Sequence, residues 1–205
     1  MYIWGTVHFF VMKEEEYIDA IIGIFKVEGI GLSMDAIADR IGITRKTLYN
    51  RFKSKDELME RCLDRLSSIF VKEIECLADE SVDVVQGFRN GIMGMWKFFC
   101  NSSHIFTHDM ITVYPSVASR QQDTGRLWLN SKIRINIERG QADGTYRKDI
   151  DPLLMSRYIG FSIFAFFHNE LKRGETTDFD DYFKKVIDYN IHALLAQKTE
   201  QCHSE

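Results

Sequence analysis

Proline is nearly absent from this chain of 205 residues: Pro115 and Pro152 are the only two. Glycine numbers 13, and the long stretches free of both residues favour helices over a sandwich of many short turns. Cysteine is sparse as well. Cys62, Cys76, Cys100 and Cys202 are widely spaced with no CxxC pair, which excludes a disulfide framework or a cysteine zinc site and reads as reduced thiols. Excess positive charge is lacking too: the net charge is −4. That excludes a protein that coats nucleic acid by overall charge and leaves room only for a local basic patch.

No apolar run reaches the roughly 20 residues that a membrane-crossing helix needs. The nearest candidate, MYIWGTVHFFVM at 1–12, has no basic lead and no small-residue cleavage site, and Lys13-Glu14-Glu15-Glu16 follows at once. It reads as an N-terminal extension of unassigned role, with no membrane partner, and the expected location is the cytoplasm. GxSxG, P-loop, GxGxxG and HExxH patterns are all missing, so neither an enzyme nor a cofactor is expected.

What the chain does have is 45% hydrophobic and 27% charged residues, enough for a folded body with a substantial core. Tyr17, Ile18, Ile21, Ile22 and Phe25 recur at helical spacing, and Gly29 and Gly31 end the run. Ser33 then stands as an N-cap before a short helix at 34–41, which Gly42 closes. Thr44 caps a second short helix at 45–52. Ser54, with Glu57 three residues on, forms a capping box for a long helix at about 55–78.

Two short capped helices around a glycine-containing turn make a helix-turn-helix pattern. Between positions 40 and 55 stand Arg40, Arg45, Lys46, Arg51, Lys53 and Lys55, without one Asp or Glu. On an acidic chain that is a local electrostatic footprint. Leu48 and Phe52 supply the face to bury, leaving Arg45, Lys46, Thr47, Tyr49, Asn50 and Arg51 for other faces. Arg, Lys and Asn can read purine edges in the major groove, while hydroxyls and helix N-termini suit phosphates. The bland alternative is a solvated basic surface on a helical hairpin.

The run Ser33-x3-Ile37-Ala38-x3-Gly42-Ile43-Thr44-x2-Thr47-Leu48-Tyr49-x2-Phe52-x-Ser54-Lys55-x2-Leu58 resembles the DNA-binding motif of TetR-family transcriptional regulators. The likeness covers about 45 residues. It implies an all-α homodimer of about nine helices, with a DNA-binding domain at 13–60 and an effector-binding and dimerisation domain at 61–205. It also implies roles: Arg45, Lys46, Thr47 and Asn50 at bases, Ser33, Thr44, Tyr49 and Lys55 at phosphates, and Arg51 at the backbone. Arg51 stands where the family often has His, and Lys46 where a small residue is common.

The rest of the chain reads as further helices at 82–100, 104–113 (closed by Pro115), about 117–139, 152–172 and 179–197. The alternation Lys132-Ile133-Arg134-Ile135-Asn136-Ile137 has a strand's period, but Leu129, Ile133 and Ile137 keep an i, i+4 register and favour helix. Gly140 to Pro152 reads as a loop, with Asp151 an N-cap and Pro152 at the first helical position. Trp96, Phe99, His104, Phe106, Trp128, Tyr158 and Phe161 are candidates to bind a small apolar or aromatic effector. The alternative for each is core or interface. His104 and His108 are spaced to hold one metal ion, yet no Cys, Glu or third His completes the set by position, and with Asp109 and His168 as the only conceivable additions no metal is expected.

For the dimer, Gly160, Ser162 and Ala165 are small residues that let a partner approach, and Tyr182, Val186, Tyr189, Ala193 and Leu194 form a stripe on the last helix. The function expected is a homodimeric repressor on a palindromic double-stranded operator, released by its effector. The alternatives are an activator with the same motif, or a helical small-molecule or lipid-binding protein with a basic surface hairpin.

Overall fold

A computed structural model of the protein describes residues 13–100, 109, 115–173 and 179–196. Among them are eight α-helices: α1 (Glu14–Glu28), α2 (Met34–Ile41), α3 (Arg45–Arg51), α4 (Lys55–Ile74), α5 (Val84–Cys100), α6 (Pro115–Asp143), α7 (Pro152–Arg173) and α8 (Phe179–Leu194). A single 3-10 turn, Glu75–Leu77, extends α4. The only bridge of β type among the described residues pairs Tyr146 with Leu195 and ties the loop before α7 to the end of α8. The chain folds all-α, as its spacing predicts.

The first three helices begin where local chemistry starts them. Glu14, Glu15 and Glu16 crowd the first turn of α1, where the helix dipole favours negative charge, and the Lys13 N–H donates to the Glu16 carboxylate at 2.7 Å. Ser33 Oγ accepts the Ala36 N–H at 3.2 Å, and Thr44 Oγ1 the Thr47 N–H at 3.1 Å. Gly42, at φ 72, takes the left-handed conformation that lets α2 stop and α3 turn away. Its neighbour Ile43 donates back to the Ala38 carbonyl.

Two cores result. Ile18, Ile21, Phe25, Ile37, Leu48, Phe52 and Leu58 meet in the smaller, with Cys62, Leu63 and Leu66 of α4 closing it. The larger gathers Phe70, Ile74, Phe88, Ile92, Trp96, Leu129, Ile133, Ile159, Phe183 and Ile187 among others. Helix α4 therefore serves both cores, its first half in one and its last turns in the other. Phe98 of α5 packs against both and meets Phe70 edge-on, with ring centroids 5.4 Å apart.

Several expectations need correction. Glu57 does not complete a capping box, because its carboxylate takes the Lys53 N–H at 2.8 Å in place of that of Ser54, whose Oγ does accept from Glu57. Pro115 opens α6, a position where its missing N–H costs nothing, while the element expected before it at 104–113 lies outside the described residues save for Asp109. Gly140 does not begin a loop, since α6 runs on to Asp143. Its absent side chain leaves room for the ring of Tyr146, which a Cβ there would strike. Gly160 likewise faces Asn130 of its own α6, not a partner chain, and Leu194 is fully buried in its own core.

Candidate nucleic-acid interface

The surface that carries the basic residues is built from α2, the turn after it, and α3. Leu48 and Phe52 are buried beneath α3 against α1 and α4, so the remaining faces of this short helix are turned outward. Lys46, Tyr49 and Asn50 are exposed, and Thr47 and Arg51 half-buried. The hydroxyls of Thr44 and Thr47 lie 2.8 Å apart at the head of the helix, with Thr44 Oγ1 already accepting a backbone N–H. Ser33 and Ser54 each cap a helix with their oxygen, leaving the hydroxyl hydrogen to donate outward.

Charge in this region is less one-sided than the linear sequence implies. Arg40 Nε donates to the Glu28 carboxylate at 3.0 Å, and Arg45 Nη1 lies 2.9 Å from Asp35 Oδ2. Neither acidic partner falls between positions 40 and 55, which is why the sequence count misses both. The Arg51 guanidinium sits over the Tyr17 ring, 4.4 Å from its centroid, a cation–π contact that anchors it to α1. Lys55, at the first position of α4, has its ammonium pulled below the usual lysine range by burial, with Asp56 and Asp109 opposing that shift.

Asp109 reaches this domain from a part of the chain far away in sequence: its Oδ2 accepts the Ile30 N–H at 3.0 Å in the turn between α1 and α2. Sequence reasoning assigned Asp109 no such role, and no local signal points to it. Arg65 of α4 binds Asp19 of α1 through two nitrogens, at 2.8 and 2.7 Å, and this hydrogen-bonded guanidinium holds the Asp19 carboxyl below its ordinary pKa. Helix α1 is thus clamped along α4.

The described effector candidates divide between core and surface. Trp96 is buried and stacks on Phe183 with centroids 4.3 Å apart, inside the larger core. Trp128, Tyr158 and Phe161 are exposed in the single chain, the last two to 61% and 67%. Their helical spacing was compatible with either face, and the packing of Leu129, Ile159 and Ile163 inward decided it. His104, Phe106 and His108 lie outside the described residues, as do the side chains of Phe99 and Tyr182. No described helix is long and apolar enough to cross a membrane.

An all-α chain with capped helices bracketing a left-handed glycine, and an outward second helix bearing Lys, Thr, Tyr and Asn, is a helix-turn-helix protein. Residues 18–62 match the family described as "Bacterial regulatory proteins, tetR family". The chain thus carries a DNA-binding domain of the TetR kind over these residues.

It is 25% identical over 137 residues to the HTH-type transcriptional repressor KstR2 of Mycolicibacterium smegmatis, covering 60% of this chain and 62% of that one. An uncharacterized HTH-type transcriptional regulator of Haemophilus influenzae is 30% identical over 82 residues, 40% of this chain and 44% of that protein. The chain thus aligns with about half the length of these curated relatives. Among solved structures, SmeT, the repressor of the Stenotrophomonas maltophilia multidrug efflux pump SmeDEF, superposes with a TM-score of 0.72 at 18% identity, covering 91% of this chain and 92% of that one. The fatty acid degradation regulator FadR from Bacillus halodurans does so at 0.65 and 16% identity, covering 89% and 100%.

Proposed function

We propose that this protein is a homodimeric transcriptional repressor that reads a palindromic operator with α3 and leaves it when a small apolar molecule binds the C-terminal domain. The observation that carries the reading is the outward presentation of Lys46, Tyr49 and Asn50 on a helix pinned from behind by Leu48 and Phe52. On it, Arg45, Lys46, Thr47 and Asn50 meet base edges. Ser33, Thr44, Tyr49 and Lys55 meet phosphates, and Arg51, braced on Tyr17, lies against the backbone. Action on DNA places it in the cytoplasm.

Two stripes, exposed but for the half-buried Val186, support the dimer. On α7, Leu154, Tyr158 and Phe161 follow at i, i+4, i+7, and on α8, Val186, Tyr189 and Ala193 at i, i+3, i+7. Leu154 and Tyr189 are each 69% exposed in the single chain, a costly display unless a second copy covers them. Two helices from each subunit would form a four-helix interface on a two-fold axis. Tyr158 and Phe161 belong to that interface on this reading. The effector binds within the C-terminal domain on this reading, with Trp96, Phe99, His104 and Phe106 among its candidate contacts.

Repression follows the described activity of KstR2 and SmeT, and an apolar effector agrees with the aromatic content of this region. The effector acts by preferring a dimer whose two α3 helices no longer match half-sites about 34–36 Å apart. It shifts the population only by its differential affinity for the two states. A gel-shift with the DNA upstream of the protein's own gene tests the reading. A sequence-specific complex at low salt is expected, and competition by random duplex as effective as by the specific one would overturn it.

A further inference from the structure

The ion pair between Arg45 and Asp35 joins the first residue of α3 to the first turn of α2, and both side chains stand on the surface that faces outward. Their exposures, 65% and 39%, make it a poor source of stability, since exposed pairs of this kind contribute little to folding. A carboxylate here also opposes DNA binding in general, because it repels phosphates and cancels one positive charge. Its effect must therefore fall on Arg45 itself.

We propose that Asp35 is a positioning and specificity-determining residue for operator recognition: it holds the Arg45 guanidinium in one pose, so that its remaining edge reads a guanine. This rests on the reading of α3 as the recognition helix. Contact with Asp35 runs through Nη1. The other edge of a guanidinium, Nε with Nη2, carries two parallel N–H donors, the pattern that matches guanine O6 and N7. An arginine has many rotamers and loses that freedom on binding, so a brace that settles the pose beforehand lowers the cost of the correct contact. Arg45 also stands at the N-terminal end of α3, the end that a recognition helix directs at base edges. Tethering has a second consequence. An untethered Arg45 can swing to any nearby phosphate, which rewards every sequence equally, and the tether to Asp35 holds it away from that use.

The test takes the full-length protein, selects a preferred site from random duplex DNA, and measures binding to that site, to each single base-pair variant of it and to random duplex. Wild type, Arg45→Ala, Asp35→Asn, Asp35→Ala and the double variant Asp35→Ala with Arg45→Ala are compared. Arg45→Ala should lose discrimination at one base pair by roughly tenfold or more. Both Asp35 variants should lose discrimination at that same base pair while binding random duplex as tightly as wild type or tighter, with a steeper salt dependence. The double variant should discriminate no worse than Arg45→Ala alone. Asp35→Asn keeps the size of the side chain and guards against a folding defect in Asp35→Ala, and circular dichroism confirms the helices of each.

Unchanged discrimination in both Asp35 variants, or an equal gain on every sequence, would overturn the proposal while leaving α3 as the reader. So would wild-type discrimination in Arg45→Ala. Selection of no preferred site by the wild type would sink the underlying reading of α3 instead.

Discussion

The hydroxyl of Tyr146 and the side-chain oxygen of Asn136 meet at 3.1 Å in the middle of the larger core, both residues essentially without solvent contact. Asn136 Nδ2 donates to the carbonyls of Leu77 and Val84 at 3.1 and 2.9 Å, so this amide fastens α6 to the segment between α4 and α5. Every polar atom of the amide group is used, which is what a buried amide requires. Asn136→Leu, close in volume, should destabilise the fold by about 1–3 kcal/mol, because the Leu77 carbonyl loses its amide donor while the Val84 carbonyl and the Tyr146 hydroxyl keep only each other. Tyr146→Phe should cost about 1–2 kcal/mol. Urea unfolding measures both, and an Asn136→Leu midpoint equal to wild type would contradict the account.

Alkaline pH should weaken the fold through buried acids. Burial pushes the Cys62 thiol up to about 12 and the Tyr146 phenol upward from its usual value. The protonated forms are favoured in the folded state, so their contribution is complete below the unfolded values, near ~8.5 for Cys and ~10 for Tyr. It is lost as pH rises through the folded values. Between those limits each group should remove up to about 1.4 kcal/mol per pH unit. Tyr146→Phe, less stable at neutral pH, should show a shallower decline above pH ~10, read from urea midpoints across the alkaline range.

Two glycines should respond oppositely to alanine. A Cβ at Gly140 runs into the ring of Tyr146, and a ring wedged under the bridge to Leu195 has little room to retreat. Gly140→Ala should cost about 1–3 kcal/mol. Gly23 lies on the exposed side of α1 with open space around it, so Gly23→Ala should gain about 0.5–1 kcal/mol by stiffening the unfolded chain. Thermal melts of the pair against wild type decide it.

On the proposed dimer, Tyr189→Asp and Phe161→Asp should give monomers near 24.0 kDa where wild type sediments near twice that mass. Both side chains are exposed in the single chain, so the variants should keep wild-type helicity. A dimer unaffected by both substitutions would move the interface elsewhere.

Among the proposed DNA contacts, Asn50→Ala should cost about 1–3 kcal/mol on the specific site and relax one base preference. Lys55→Ala should weaken all sequences alike and reduce the salt slope by about one. Titration by fluorescence anisotropy at several salt concentrations separates the two patterns. A changed base preference in Lys55→Ala would reverse the assignment.

What the sequence by itself determined here are features whose partners lie within one helical turn. Ser33, Thr44 and Ser54 begin helices because each side chain accepts an N–H three residues on, and Gly42 ends one because only glycine takes its φ cheaply. The stripe of Leu129, Ile133 and Ile137 overruled a strand-like alternation, since helical burial repeats at four residues. Only the tertiary structure decided what crosses between helices. Asp35 and Glu28 reach into a stretch that looks purely basic in linear order, and Asp109 caps an N–H in a distant turn. Gly140 and Gly160 serve close approach within the chain, where spacing alone suggested a loop and a partner. Tyr158 and Phe161 have a core residue's composition and a surface residue's place. A periodic pattern tells which residues share a face, but which face turns inward depends on the helices packed against it.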